Sequence, residues 1–545
     1  MKKVEFDPVL VHEWLRRSAR RFPEKEALIC GPQRWTYRAL DQYTEHLAAA
    51  LQQMQVRRQD RIVILLDNCP ETVICLYGIL KAGGVFVILA GSVKAAKLKY
   101  ILDNSEANVL ITHTSKAGVV TEALDQIQRE IETIWIGPKN HIPAKYAPSS
   151  GSWEDIFSNV SDKVGFFETG TRLPRCIDVD LATLIYTSGS TGEPKGVMST
   201  HHNMISAARS IIQYIGNVEE DIILDVLPLS FDYGLYQVIM AFMFGGTVVL
   251  EKSLLYLHKI LERIAEEKVT GFPIVPTVAA MLLKMQDLKK YDLSSLRYIT
   301  NTGAALPVEH IRRLRSLLPQ TKVFSMFGLT ECKRVCYLPP EELEHRPSSV
   351  GKAMPNCEVF VVDEAGNEVA AGLTGELIVR GSNVMQGYWK DPDLTAKTYR
   401  DGRRPGEKIL YSGDYFRRDD AGFLYFLGRK DDMIKSKGER ISAKEVENIL
   451  CALDGIAEAS VIGVPDEILG QAIKAFIVTA PAYELTEKDI MKYCAANMET
   501  FMVPKYIEFM DELPKTTNGK IDKKQLKNME VKPGWTSKER SLQRC

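Results

Sequence analysis

Residues 186–196 read Tyr186-Thr-Ser-Gly-Ser-Thr-Gly-Glu-Pro-Lys-Gly196, at the end of an apolar, strand-like run, Leu181-Ala-Thr-Leu-Ile-Tyr186. Three glycines, four hydroxyl side chains (Thr187, Ser188, Ser190, Thr191) and Lys195 crowd into this stretch. Glycine lets a backbone turn tightly and aim its N–H groups at an anion, while the hydroxyls and the lysine add donors and positive charge. The simplest ligand for such a loop is the phosphate tail of a nucleotide. It is not the common triphosphatase loop, which needs Gly, four residues and then Gly-Lys-Ser/Thr. Here Glu193 and Pro194 follow Gly192, and Gly196 follows Lys195. By composition alone, a Gly/Ser/Thr cluster is more often a solvated turn.

Outward from the loop, compact apolar runs alternate with helical spacing. Residues 61–66, 84–89 and 107–112 read as strands, and 71–82 as a helix between the first two. The rhythm returns with strands at 221–228 and 246–250 around a helix at 235–244. This pattern predicts α/β layers with parallel sheet. Residues 10–55 read as helices around one short strand, and 137–175, rich in Pro, Gly and Ser, as an irregular excursion. Short alternating strands over 355–430 predict a β-rich subdomain. A charged, glycine-bearing stretch at 428–438 precedes about one small domain's worth of α+β sequence. The expected division is a large N-terminal domain over 1–430, a small mobile C-terminal domain over 431–530, and a polar tail over 531–545 that frays from about Lys527.

The whole chain narrows the function. Its 545 residues, 45% hydrophobic, exceed one ordinary domain. With 69 basic and 70 acidic residues, it gives no sign of nucleic-acid binding. The N-terminus lacks an apolar signal core, and no apolar run is long enough to cross a bilayer. Of ten cysteines the closest pair, Cys332 and Cys336, has no second pair or neighbouring His to complete a zinc site. Reduced cysteines and a cytoplasmic enzyme are the expectation.

Further strings join the loop: Asn301-Thr-Gly-Ala-Ala-Leu306, Phe327-Gly-Leu-Thr-Glu331, Tyr411-Ser-Gly-Asp414, Gly428-Arg429 and Leu513-Pro-Lys-Thr-Thr-Asn-Gly-Lys-Ile-Asp522. Alone, each has a plain structural reading as a helix cap, a turn or an exposed lysine. Together, in this order over about 35–523, they resemble the AMP-forming adenylating ligases: acyl- and aryl-CoA synthetases, stand-alone amino-acid adenylation domains and luciferases. The chain also resembles the acyl-CoA ligases found beside exosortase systems. The resemblance implies that an acid attacks the α-phosphate of ATP, and that a thiol of CoA or of a carrier-protein phosphopantetheine then takes the acyl group. A non-catalytic or oxygenase-type member of the fold is the alternative.

By that resemblance, Thr187, Ser188, Gly189, Ser190, Thr191, Gly192 and Lys195 hold the phosphates. Thr330 contacts the α-phosphate and Glu331 the Mg²⁺. Gly303 and Ala304 pass under the adenine, with Phe327 packed near it in place of a frequent Tyr. Asp414, assisted by Arg429, takes the ribose. Lys520 is the catalytic lysine and Asp431 the hinge on which the C-terminal domain swings. Lys523 stands where many relatives have Arg.

The acid pocket is less defined. Phe231, Asp232, Tyr233, Tyr236, Pro273, Thr300, Thr302, Met326 and Arg334 are candidates by position, or else core packing. Asp232 aligns with the aspartate that amino-acid adenylation domains pair with a substrate ammonium, and reads equally as a cap for a helix beginning near Gly234. Arg334 is expected to pair with Asp232 or with a second carboxylate on the substrate. Either choice suits a polar acid or an amino acid better than a long fatty chain.

Overall fold

The computed structural model describes residues 7–146, 151–158, 175–188, 193–252, 254, 256–285, 287–303, 306–430, 433–436, 439–466, 470–480, 483–516 and 521–530. Two large sheets organise residues up to about 353. In the first, the strands run in the order Gly151–Ser152, Glu132–Ile136, Val109–His113, Arg61–Leu65, Val85–Leu89, Leu181–Ser188 and Pro194–Thr200. All its pairings are parallel except the last, an antiparallel hairpin. The second sheet has nine strands. Its middle, Lys322–Phe327, Tyr298–Asn301, Gly271–Ile274, Ile222–Asp225, Thr247–Leu250 and Glu26–Cys30, is parallel throughout.

Helices fill the space between these sheets, and their sequences say why. The helix Pro70–Lys81 is buried at every residue except Glu71, and Asp232–Phe244 is buried at all but Phe244. A helix that is apolar all round has no solvent face to offer and belongs inside. Both contribute to one core cluster with residues of both sheets, among them Ile62, Phe86, Leu28 and Val248. Gly234 permits this packing, because a Cβ there would meet the Pro228 and Leu227 carbonyl oxygens at 2.6 and 2.8 Å.

The β-rich subdomain is a five-stranded antiparallel sheet spanning Cys357–Val362 to Leu424–Arg429. A fourth sheet, from Ile434–Ser436 to Tyr506–Phe509, carries the helices Ala443–Cys451, Glu487–Asn497 and Lys523–Glu530. The α/β class with a β-rich subdomain and a C-terminal α+β unit is therefore as expected. Three local expectations are corrected. The short strand near the N-terminus is a hairpin of Glu26–Cys30 with Gln33–Thr36. The Pro/Gly/Ser-rich excursion contains a helix, Trp153–Phe157, whose Phe157 stacks on Tyr43 at 4.9 Å. The helix at the tail runs on past Lys527 to Glu530. Among the described residues, no helix is long and apolar enough to cross a membrane.

Candidate active site

Open α/β sheets bind ligands beyond the carboxyl ends of their strands, and the predicted site residues gather there. In the hairpin Leu181–Ser188/Pro194–Thr200, Thr187 stands opposite Lys195 and Ser188 opposite Pro194. The loop between them, Gly189, Ser190, Thr191 and Gly192, lies outside the described residues, as do Ala304, Asp431 and Lys520. The strand Lys322–Phe327 delivers its chain into a turn over 328–334 that carries Thr330 and Glu331.

That turn is tightly built. A Cβ on Gly328 would meet the Lys333 carbonyl oxygen at 2.4 Å and the Arg334 Cα at 2.9 Å, so only glycine lets the turn fold back on itself. Lys333 has a φ of +64°, the left-handed region that side chains other than Gly rarely adopt. Asn383 holds its second half, its Nδ2 donating to the Cys332 and Arg334 carbonyls at 2.9 Å each.

Glu331 faces the phosphate hairpin through Tyr388. The Tyr388 hydroxyl donates to Glu331 Oε1 at 2.7 Å, and Lys195 Nζ lies 6.0 Å from the Tyr388 ring centre. Burial and the neighbouring carboxylate push the tyrosine's pKa far up, so it stays a donor. The segment around Tyr388 is stitched to the hairpin by Trp389 N–H to the Gly196 carbonyl, 2.7 Å, and to the turn by Met385 N–H to the Glu331 carbonyl, 3.0 Å. Lys195, Tyr388 and Glu331 thus form one polar wall. Thr330 stands beside it in the turn, half-buried. A single carboxylate suits Mg²⁺, which keeps waters and phosphate oxygens and takes only one or two protein carboxylates. Among the described residues, no group of three or more His, Cys, Asp or Glu could hold a metal by itself.

The predicted ribose pair is also brought together. Asp414 and Arg429 are register partners on adjacent strands, with Arg429 Nε 3.4 Å from Asp414 Oδ1. Phe327 packs on Phe426 and Phe416 at ring distances of 5.6 and 5.0 Å. Gly303 turns the chain at a φ of +87° directly after Thr302.

The acid-pocket candidates form a second wall, and two expectations change. Asp232 is not the cap of its helix: Phe231 is the N-cap, without a side-chain cap bond, and Asp232 is the first helical residue. Nor does Asp232 pair with Arg334. Its partner is Lys333, whose Nζ lies 3.6 Å from Asp232 Oδ2 and donates to the Asp232 carbonyl at 2.6 Å. The Lys333 ammonium also sits 4.1 Å from the Tyr236 ring centre. Burial drives its pKa down to about 7, against the opposing pull of Asp232.

Arg334 is 2% exposed, donates to the Thr302 hydroxyl and lies 5.4 Å from the Tyr233 ring centre. The Tyr233 hydroxyl in turn meets Thr300 Oγ1 at 2.6 Å, beside Pro273 in strand register. Met326 is buried, with its sulfur 2.8 Å from the Tyr214 hydroxyl. Phe231 meets Tyr233 edge-on at 6.3 Å. Sequence reasoning missed Tyr388, Lys333 and Asn383. For Lys333 the signal was its place beside Arg334; the other two carry none in the local string.

The AMP-binding enzyme family matches residues 15–389, and the AMP-binding enzyme C-terminal domain matches residues 445–520. A long-chain-fatty-acid–CoA ligase of Bacillus subtilis (strain 168) is 32% identical, covering 94% of this chain and 93% of its own. The crystal structure of the anthranilate CoA ligase AuaEII with anthranoyl-AMP superposes at a TM-score of 0.86, with 26% identity over 96% of this chain and 98% of that one. The o-succinylbenzoate CoA synthetase MenE of Bacillus subtilis, bound to its acyl-adenylate, superposes at 0.79 with 27% identity over 94% and 97%. With both domains matched in order, the chain belongs to the AMP-binding enzyme family of adenylate-forming acid ligases.

Proposed function

We propose that this enzyme activates a polar carboxylic acid with ATP, releasing pyrophosphate, and passes the acyl group from the adenylate to the thiol of CoA. The convergence of Lys195, Tyr388 and Glu331 carries this reading, because it joins a phosphate hairpin to a metal-ready carboxylate. Relatives named as CoA ligases, and one holding anthranoyl-AMP, support the same chemistry.

The proposed roles follow from position. The hairpin residues, with Lys195, hold the β- and γ-phosphates. Thr330 contacts the α-phosphate, and Tyr388 fixes the Glu331 carboxylate for Mg²⁺, which supplies charge neutralisation on the phosphates when bound. Asp414 and Arg429 hold the ribose. A carboxylate oxygen of the acid attacks the α-phosphorus and the bond to pyrophosphate breaks; positioning and charge do most of the work. Lys520, brought in by the C-terminal domain, is assigned to the reacting oxygens. The domain then turns about Asp431, and the thiol attacks the carbonyl carbon and expels AMP.

CoA is favoured over a carrier-protein phosphopantetheine by the relatives' names, although both end in the same thiol. The pairing of Asp232 with Lys333 disfavours an amino acid, whose ammonium would have to displace a resident one. The nine described cysteines are free thiols, which favours the cytoplasm. Nucleotide chromatography after incubation with ATP, Mg²⁺, a panel of acids and CoA tests the proposal. Acid-dependent AMP and a CoA thioester are expected; ADP, or AMP without acid dependence, refutes it.

A further inference from the structure

The turn that carries Glu331 buries two basic side chains side by side, and among the described residues only one of them has a carboxylate partner. Lys333 is taken by Asp232. Arg334, 2% exposed, makes its side-chain contacts with neutral groups: the Thr302 hydroxyl, the Tyr233 ring and the Tyr214 hydroxyl. Among the described residues no carboxylate pairs with it, and its Nε has no hydrogen-bond partner. The other buried acid on this side, Asp225, accepts from Leu227 N–H, and burial pushes it toward its neutral form. A guanidinium in such a place is costly unless an anion completes it.

Asn383 and Gly328 hold the backbone of the turn that carries Arg334. Its neighbours come from 300–302 and from the helix Asp232–Phe244. Tyr214 beside it stacks on Tyr337 at 4.0 Å and meets Met326.

Resting on the adenylation reading above, we infer that the substrate is an acid with a second carboxylate, and that Arg334 binds that distal group while the first carboxylate meets ATP. The planar guanidinium edge at Nε is suited to a carboxylate's two oxygens, whereas a lysine would offer only a point charge.

The test is ATP–pyrophosphate exchange with acids matched in length: glutarate, its monoamide glutaramate, and pentanoate. The expected kcat/KM for glutarate is at least tenfold above both others. Arg334→Gln should cut the glutarate value at least tenfold, narrow the preference below twofold, and leave the KM for ATP within twofold. Equal or better use of pentanoate by the wild type overturns the inference and leaves the adenylation reading intact. So does an equal loss for all three acids in a folded Arg334→Gln protein. If that variant does not fold, glutarate against glutaramate on the wild type decides, since they differ only in the distal charge. Exchange with no acid at all, across the wider panel, overturns both readings.

Discussion

The smallest test of the site is one oxygen atom. Tyr388 donates its hydroxyl to Glu331 at 2.7 Å and sets its ring centre 6.0 Å from the Lys195 ammonium. Tyr388→Phe keeps the ring and removes the bond. A hydrogen bond to a charged group is worth about 1.5–3 kcal/mol, so kcat/KM for Mg·ATP should fall roughly 10- to 100-fold. Steady-state exchange kinetics measure it, with the melting temperature little changed. Asp232→Ala has a different signature. It leaves Lys333 buried without the carboxylate that holds its pKa up to about 7, so the lysine gives up its proton more readily. The loss in urea unfolding should deepen as pH falls below 7, toward about 3–5 kcal/mol, and adding Lys333→Met should recover most of it. At this scale the sequence was legible where a role rests on neighbours in the string. Thr330 and Glu331 stand out because they follow Phe327-Gly-Leu. Tyr388 is 57 residues from the carboxylate it orients, and Lys333 is 101 residues from Asp232, so nothing local announces either pairing.

Elements carry the next two predictions. Gly328→Ala would drive a Cβ into backbone atoms of Lys333 and Arg334, which cannot rotate away. Overpacking of this kind costs about 1–3 kcal/mol, and because the strained turn holds Glu331, exchange activity should fall more steeply than thermal stability. The helix Val11–Arg21 depends on a distant imidazole: its cap residue Leu10 makes no side-chain cap bond, and the Val11 N–H donates to His201 Nδ1 at 3.2 Å. Burial lowers the His201 pKa to about 4, although Asp180 and Asp178 pull it upward, and the His12 ring lies 5.8 Å away, its own pKa lowered by burial and by His201. The folded state therefore holds a neutral ring, whereas the unfolded chain takes up a proton near pH 6.5. Stability from this group is full above pH 6.5 and falls as pH drops from there toward 4. His201→Asn, which keeps an acceptor, should flatten that part of a urea-unfolding pH profile. Elements marked by long apolar runs were readable before folding, as with the almost wholly buried helix Pro70–Lys81. The helix Trp153–Phe157 was not, because Pro, Gly and Ser around it dominate the composition, and its Trp153 and Phe157 find their partners only in tertiary packing.

At the scale of the whole molecule, one lysine is proposed to serve only one of two half-reactions. Lys520→Ala should lower acid-dependent exchange by two orders of magnitude or more, while thioester formation from a supplied acyl-adenylate and CoA stays within a few-fold of the wild type. Equal loss of both would remove the lysine from the role given to it. The two-domain order was legible because the strings around Gly189 and Lys520 stand far apart in a fixed sequence. The identity of the acid was not, because the candidate pocket residues Asp232, Thr302 and Arg334 lie far apart in the string, on a helix start, a strand end and a turn, and contacts such as Arg334 to Thr302 form only in the fold. The central claim is that the acid's own oxygen bonds to the α-phosphorus. Its most direct test is mass spectrometry of the nucleotide formed from ATP, CoA and an acid labelled with ¹⁸O in both carboxylate oxygens. AMP carrying one labelled oxygen is the predicted result; unlabelled AMP, or label in orthophosphate beside ADP, would contradict it.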